Sequence, residues 1–264
     1  MQKRHSDKEL YFRELAATSR EFYVDYVRRH ASVGSGTSVL EIGCGEGGNL
    51  LPFAEQGCRV AGIDLAAAKI EKAREIFSDA GLKADFTAGD FFAMTEPEES
   101  DKYDIIVIHD VIEHIYDKAG FVRRLTAFLK PDGIVFWGFP AWQMPFGGHQ
   151  QICKSRVCSV TPFLHLLPAP LYKGVLKAFG ENEKMIGELL DIKRCKTPIE
   201  RFERVVRQNG LAVTDRCLWF INPHYKQKFG LRPRKLWRWV GRVPYARNFF
   251  CTACFYLTRH ARPV

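Results

Sequence analysis

Ser38-Val39-Leu40-Glu41-Ile42-Gly43-Cys44-Gly45-Glu46-Gly47-Gly48 passes from an apolar run into a cluster of glycines, and Gly62-Ile63-Asp64 follows it. Such a run suits a strand buried on both faces. The glycines suit a tight strand-to-helix turn whose backbone can approach a ligand closely. Outward from this stretch the alternation continues. Residues 46–56 read as a helix, 59–65 as a second strand and 66–80 as a helix rich in Ala, Lys and Glu. Residues 84–90 and 103–110 read as the third and fourth strands. Residues 117–129 read as a helix with Phe121, Leu125 and Phe128 or Leu129 on its inner face. Lys130-Pro131-Asp132-Gly133 then predicts a turn into a fifth strand, 134–140. Strands alternating with helices imply right-handed crossovers, hence an α/β fold with a doubly wound, mostly parallel sheet.

The flanks read differently. Leu10, Phe12, Leu15, Phe22 and Val27 recur at near-helical spacing and predict an N-terminal helix over 7–30, part of a helical cover, 1–33. Scattered Pro and Gly in 141–195 break the rhythm and mark an insertion after the fifth strand. A helix over 197–208 then precedes a strand over 211–221. That strand is expected to form an antiparallel hairpin with 248–258, leaving 222–247 as a long connection. The expectation is one domain over 1–264, with 141–195 and 222–247 as insertions on the acceptor side.

Gly43, Gly45 and Gly48 satisfy the G-x-G-x-x-G spacing of a dinucleotide turn, and Asp64, about 20 residues on, suits a pair of ribose hydroxyls. Two acids decide between ligands. Glu41, two residues before the first glycine, would repel a pyrophosphate but attract the ammonium of a methionine moiety. Asp90, in Gly89-Asp90-Phe91, places another acid at the end of the third strand, where it can accept from an adenine amino group while Phe91 packs on the base. Acids on consecutive strand ends suit S-adenosylmethionine (SAM), which is cationic and has no phosphates. An NAD-linked oxidoreductase is the disfavoured alternative.

VLEIGCGEGG, GIDL, AGDF, YDIIVIHDVIEHI and LKPDGIVFWGFP together resemble the successive motifs of class I SAM-dependent methyltransferases over residues 37–140. The resemblance implies a Rossmann-like, seven-stranded sheet with its last strand antiparallel. It implies that Glu41, Gly43, Cys44, Gly45, Asp64, Leu65, Asp90 and Phe91 hold SAM and the product S-adenosylhomocysteine, with His109 and Asp110 lining the methionine end. The D-V-I-E-H segment is similar to a motif of ubiquinone-biosynthesis O-methyltransferases and to one of small-RNA 3′-terminal 2′-O-methyltransferases. Those families use the acids and histidine to hold a divalent metal near the accepting oxygen. Here the first acid is Asp110 rather than Glu, which shortens its reach.

Asp110, Glu113 and His114 have the i, i+3, i+4 spacing that converges on one face of a helical turn. A metal site, an acid/base or substrate-orienting role for Asp110 and His114, and a structural cap are the three readings. His149, on the Gly-rich loop PFGGHQQ, is the candidate base. With an ordinary pKa near 6.5 it can accept a hydroxyl proton as the oxygen attacks. Its alternative is a loop histidine facing water. The expected activity is O-methylation of a lipophilic or aromatic small molecule. An RNA methyltransferase and a non-catalytic SAM-fold binding protein are the alternatives.

The charge is uneven. Ten of the 39 Lys and Arg follow Asn222, and none of the 30 Asp and Glu do, so the last 43 residues carry +10 and the rest −1. FGLRPRKLWRWVGRVPYARNFF predicts a short basic amphipathic helix, with Leu236, Trp239 or Val240, and Val243 on one face and Arg234, Arg238 and Arg242 on another. A lid, an anionic membrane surface and, less favoured, a nucleic acid are its possible partners. The charged start MQKRHSDKELYFRE lacks the apolar core of a secretory signal. The expected location is the cytoplasm, with peripheral membrane contact through 226–247. The eight cysteines, Cys251 and Cys254 included, read as small core residues rather than disulfides or a zinc site.

Overall fold

The computed structural model describes residues 8–261, so the first seven residues of the charged start, which include the first residue of the expected N-terminal helix, and Arg262 lie outside the described residues. Helix α1 (Lys8–Thr18) runs into a π-helical turn, Ser19–Tyr23, and then α2 (Val24–Arg28). Strand β1 (Ser38–Ile42), α3 (Leu51–Glu55), β2 (Arg59–Asp64), α4 (Ala67–Asp79), β3 (Ala84–Ala88), β4 (Tyr103–His109), α5 (Lys118–Phe128) and β5 (Leu129–Phe139) form the alternating half. The insertion holds α6 (Arg156–Val160), α7 (Ala169–Ala178) and α8 (Glu183–Cys195). After α9 (Ile199–Gln208) come β6 (Leu211–Ile221), α10 (His224–Phe229), β7 (Arg234–Lys235), α11 (Arg238–Gly241) and β8 (Ala253–His260).

One sheet collects every strand in the order β3-β2-β1-β4-β5-β8-β6-β7. Strands β1 to β5 pair in parallel, and β8 enters antiparallel between β5 and β6. The expected seventh strand is there, and the two-residue β7 makes eight: Trp219 and Ile221 leave an edge free that Lys235 and Arg234 pair with. Alternate residues of the central strands feed two cores. Leu40, Ile106, Ile108, Val135 and Trp137 face α5 and α9, whereas Val39, Ile105, Val107, Ile134 and Phe136 face the N-terminal helices, α3 and α4. Burying each such side chain contributes roughly 1.5–3 kcal/mol.

Three expectations shift. The helix expected over 46–56 starts only at Leu51, because Gly45 and Gly47 take left-handed φ of 56° and 82° and Pro52 presets the first helical turn. The turn expected at 130–133 is a bulge inside β5: Leu129 pairs with Tyr103 and Ile134 with Ile105, so four residues loop out against one. The basic connection is broken into α10, β7 and α11 rather than one amphipathic helix, with Leu236 and Val240 buried but Trp239 and Val243 exposed. The insertion builds its own small cluster from Cys153, Cys158, Tyr172, Leu176, Ile186 and Leu189. Cys251 and Cys254 are buried and unbridged.

Candidate active site

The carboxyl ends of β1, β2, β3 and β4 bring the expected acids to one edge. The N–H groups of Gly43 and Cys44 donate to the Ile63 carbonyl at 2.7 and 3.0 Å, stitching the glycine turn to β2. Asp64 completes that turn: Oδ2 accepts from the Gly45 N–H and Oδ1 from the Ala66 N–H, both at 2.9 Å. Its carboxylate therefore shapes the loop and keeps lone pairs for a ligand. Gly43 has φ 77°, and a Cβ there would lie 2.4 Å from the Val111 side chain, so both backbone and space demand glycine.

Glu41 is fully buried. Its Oε1 accepts from Asn49 Nδ2 at 2.8 Å, and Oε2 has no partner among the described residues. Burial, opposed by the Asn49 bond and reinforced by Asp64, pushes the carboxyl up to about 8. A buried carboxylate waiting for a cation has this signature. Asp90 accepts from the Phe92 N–H at 2.9 Å and caps the single turn Phe91–Ala93.

Two side chains expected at the ligand turn inward. Phe91 is only 5% exposed and packs on Phe121 and Phe128, so Leu65, 78% exposed, and Phe92 are the open apolar groups near Asp90. The Cys44 thiol fills the space over Gly62, where a Cβ would lie 2.7 Å from its sulfur, leaving only the Cys44 backbone at the turn. The reason is shared. At a strand end the side chains alternate faces, and the core takes the bulky ones.

His109 ends β4 with Nε2 2.7 Å from the Tyr23 hydroxyl and Nδ1 3.5 Å from an Asp110 oxygen. Asp110 itself adopts φ 52°, the left-handed region that turns the chain sharply after the strand. That turn separates the expected trio. Glu113 and His114 converge instead with His149, their ligand atoms all within 4.8 Å of one another, and Asp110 lies outside the group. His149 is also left-handed, φ 58°, and its ring meets His114 edge to face at 5.1 Å between centroids.

The Glu113 carboxylate is buried with neither oxygen partnered among the described residues, and burial with the nearby Asp110 charge raises it well above the usual carboxylate range. Burial, with the His114 charge, pushes His149 down to about 4. The ordinary imidazole expected of a loop histidine is thus corrected to a neutral, weakly basic one. An orphaned carboxyl beside two imidazoles suits a divalent cation as a donor set.

Residues that the sequence did not flag complete the site. Asn49 holds Glu41, and Tyr23 meets His109. Helix α10 lies on α1, with His224 Nδ1 3.1 Å from the Thr18 hydroxyl and Lys226 paired with Glu21 at 2.6 Å. Tyr225 of α10 is half-buried near Asp110, and burial followed by that charge raises its hydroxyl pKa. Asn49 had a legible signal, a polar side chain just past the glycines; the others come from segments distant in sequence.

Residues 34–160 match the family model described as Methyltransferase domain. This segment is therefore similar to methyltransferase domains. A ubiquinone biosynthesis O-methyltransferase from Actinobacillus pleuropneumoniae serotype 7 is 32% identical over 117 residues, covering 43% of this chain and 50% of the relative. One from Histophilus somni is 30% identical over 139 residues, covering 50% and 58%. The chain thus spans about half the length of these curated relatives. In three dimensions the likeness reaches further. Magnesium protoporphyrin IX methyltransferase from Synechocystis PCC 6803, solved with bound S-adenosylhomocysteine, superposes with a TM-score of 0.55 at 13% identity, covering 94% of this chain and 84% of that one. The likeness of fold to that methyltransferase therefore extends across both flanks.

Proposed function

We propose that the protein transfers a methyl group from SAM to a hydroxyl oxygen of a lipophilic or aromatic small molecule. The observation that carries this reading is the orphaned Glu113 carboxylate converging with His114 and His149, one strand end from the Glu41, Asp64 and Asp90 row. Glu41 in its ionised form would face the cofactor's ammonium, Asp64 its ribose hydroxyls and Asp90 its adenine amino group. When bound, SAM supplies an electrophilic methyl on a sulfonium. Glu113, His114 and His149 would hold a divalent ion, whose charge favours the ionised acceptor oxygen.

His149, neutral at physiological pH, offers a lone pair to an ion or a hydroxyl proton. As a free base with a conjugate-acid pKa of about 4 it is weak, so positioning carries most of the rate. Residues 141–195 and 222–247 would cover the acceptor. Tritiated SAM incubated with lipid, RNA and small-molecule fractions is expected to label the small-molecule or lipid fraction. Labelling should stop with chelator and return with Mg²⁺ or Mn²⁺. Labelling confined to RNA would overturn the acceptor class, and indifference to chelator would overturn the metal.

The basic connection supports a peripheral reading of the same function. Trp237 and Trp239 are 55% and 71% exposed and stack on each other, while Arg232, Arg234, Lys235, Arg238 and Arg242 make no ion pair among the described residues. Cations interleaved with aromatic rings suit an anionic lipid surface from which a lipophilic acceptor would be drawn. No helix of the described residues is long and apolar enough to cross a membrane. Salt-sensitive co-sedimentation with anionic vesicles, lost on replacing both tryptophans with Ala, is the expected result.

A further inference from the structure

The helix α1 does not pass smoothly into α2. Residues Ser19–Tyr23 widen into a π-helical turn, a rare local geometry that recurs at functional sites. Both ends of the turn are fully buried and both carry a hydroxyl. At one end, Ser19 Oγ donates to the Asn49 carbonyl at 2.7 Å, and the Asn49 amide donates to Glu41 Oε1 at 2.8 Å. At the other, the Tyr23 hydroxyl stands 2.7 Å from His109 Nε2, with the two rings tilted 31° at 4.9 Å between centroids. Glu41, next to last in β1, and His109, the last residue of β4, lie on adjacent strands. The one turn therefore braces both residues that flank the methionine end of the candidate cofactor site.

We propose that Ser19 and Tyr23 are positioning residues for the cofactor, acting through Asn49–Glu41 and through His109. The inference rests on the SAM reading above. Tyr23 has a buried phenol whose ionisation is suppressed by burial, and then by the charges of Asp110, Tyr11 and Glu41 around it, so the hydroxyl keeps its proton and is able to donate. A donor at Nε2 leaves that nitrogen as the acceptor and puts the imidazole proton on Nδ1, the nitrogen that faces Asp110 at 3.5 Å. With the phenol as the donor, it sets both the orientation and the tautomer of His109. The aromatic ring is not needed for that role, being held by Phe136 and Phe255 at 5.2 and 5.3 Å, so a phenylalanine fits the same space.

The test compares wild type, Tyr23→Phe and Ser19→Ala by calorimetric titration with S-adenosylhomocysteine and by nitrogen–proton correlation spectra of the histidines. Thermal unfolding serves as the fold control. Tyr23→Phe is expected to weaken binding about tenfold, the scale of one buried hydrogen bond, and to convert the His109 signal from the pure Nδ1–H tautomer to a mixture. Ser19→Ala is expected to weaken binding by a few fold with the His109 tautomer unchanged, since its path runs through Asn49. A purely structural role for Tyr23 would leave the tautomer as it was. Wild-type protein that fails to bind would sink the SAM reading and this inference with it. Wild-type binding matched by Tyr23→Phe, with an unaltered His109 spectrum, would sink the inference alone.

Discussion

Replacing Glu41 with Gln removes a buried carboxyl that, on the proposed reading, ionises to pair with the cofactor's ammonium. The folded carboxyl sits at about 8 against an ordinary 4.5, because burial outweighs the Asn49 hydrogen bond and Asp64 adds repulsion. At about 1.4 kcal/mol per unit, ionising it inside the empty site costs on the order of 5 kcal/mol. A cofactor ammonium beside Oε2 would offset that cost by pairing with the ionised form. Binding below pH 8 must then expel the Glu41 proton.

The sign follows from linkage. The empty site holds more protons than the filled one, so affinity rises with pH until the carboxyl ionises unaided. Between pH 6 and 7 S-adenosylhomocysteine should bind about ninefold more tightly, the ratio that a free-site pKa of about 8 produces. Calorimetry at pH 7 in buffers of different ionisation enthalpy should register release of close to one proton. For Glu41→Gln both the pH slope and the proton release should vanish, with weaker binding at pH 7.5. A flat pH profile in the wild type, without proton release, would refute the role given to Glu41. The same shift affects folding in the opposite sense: a raised carboxyl favours the folded state at low pH, and that contribution fades as pH climbs from about 4.5 to 8.

Asp64→Ala removes the acceptor of the Gly45 and Ala66 N–H groups as well as the candidate ribose partner; S-adenosylhomocysteine binding should weaken by about 1–3 kcal/mol, and unaltered calorimetric affinity would count against the assignment. Glu113→Gln keeps the shape but lowers the charge of the three-residue cluster, so Mn²⁺ affinity, followed by paramagnetic relaxation, should fall at least about tenfold. Gly148→Ala would put a Cβ 2.1 Å from that of His165, whose Nε2 is tied to the Trp142 carbonyl at 2.7 Å. With both sides held, the substitution should cost at least about 1–3 kcal/mol, visible as a lowered Tm; an unchanged Tm would mean that the loop relaxes freely.

What the sequence by itself determined lies where the chemistry is local. Buried parallel strands are apolar runs, and a ligand-binding turn needs its glycines within a few residues. Thus β1, β2, β4 and the row of Glu41, Asp64 and Asp90 were legible from residues that stand next to one another along the chain. The face on which a side chain falls at a strand end was not. Phe91 and Cys44 went to the core because neighbouring elements left space there. The tertiary structure alone decided the Glu113, His114 and His149 cluster, because left-handed backbone at Asp110 and His149 re-aims two distant loops toward each other. It alone brought Tyr23 to His109 across 86 positions and His224 to Thr18 across 206. Periodicity reports which face of an element is buried; it carries no record of which other element buries it, and this site is assembled from such meetings.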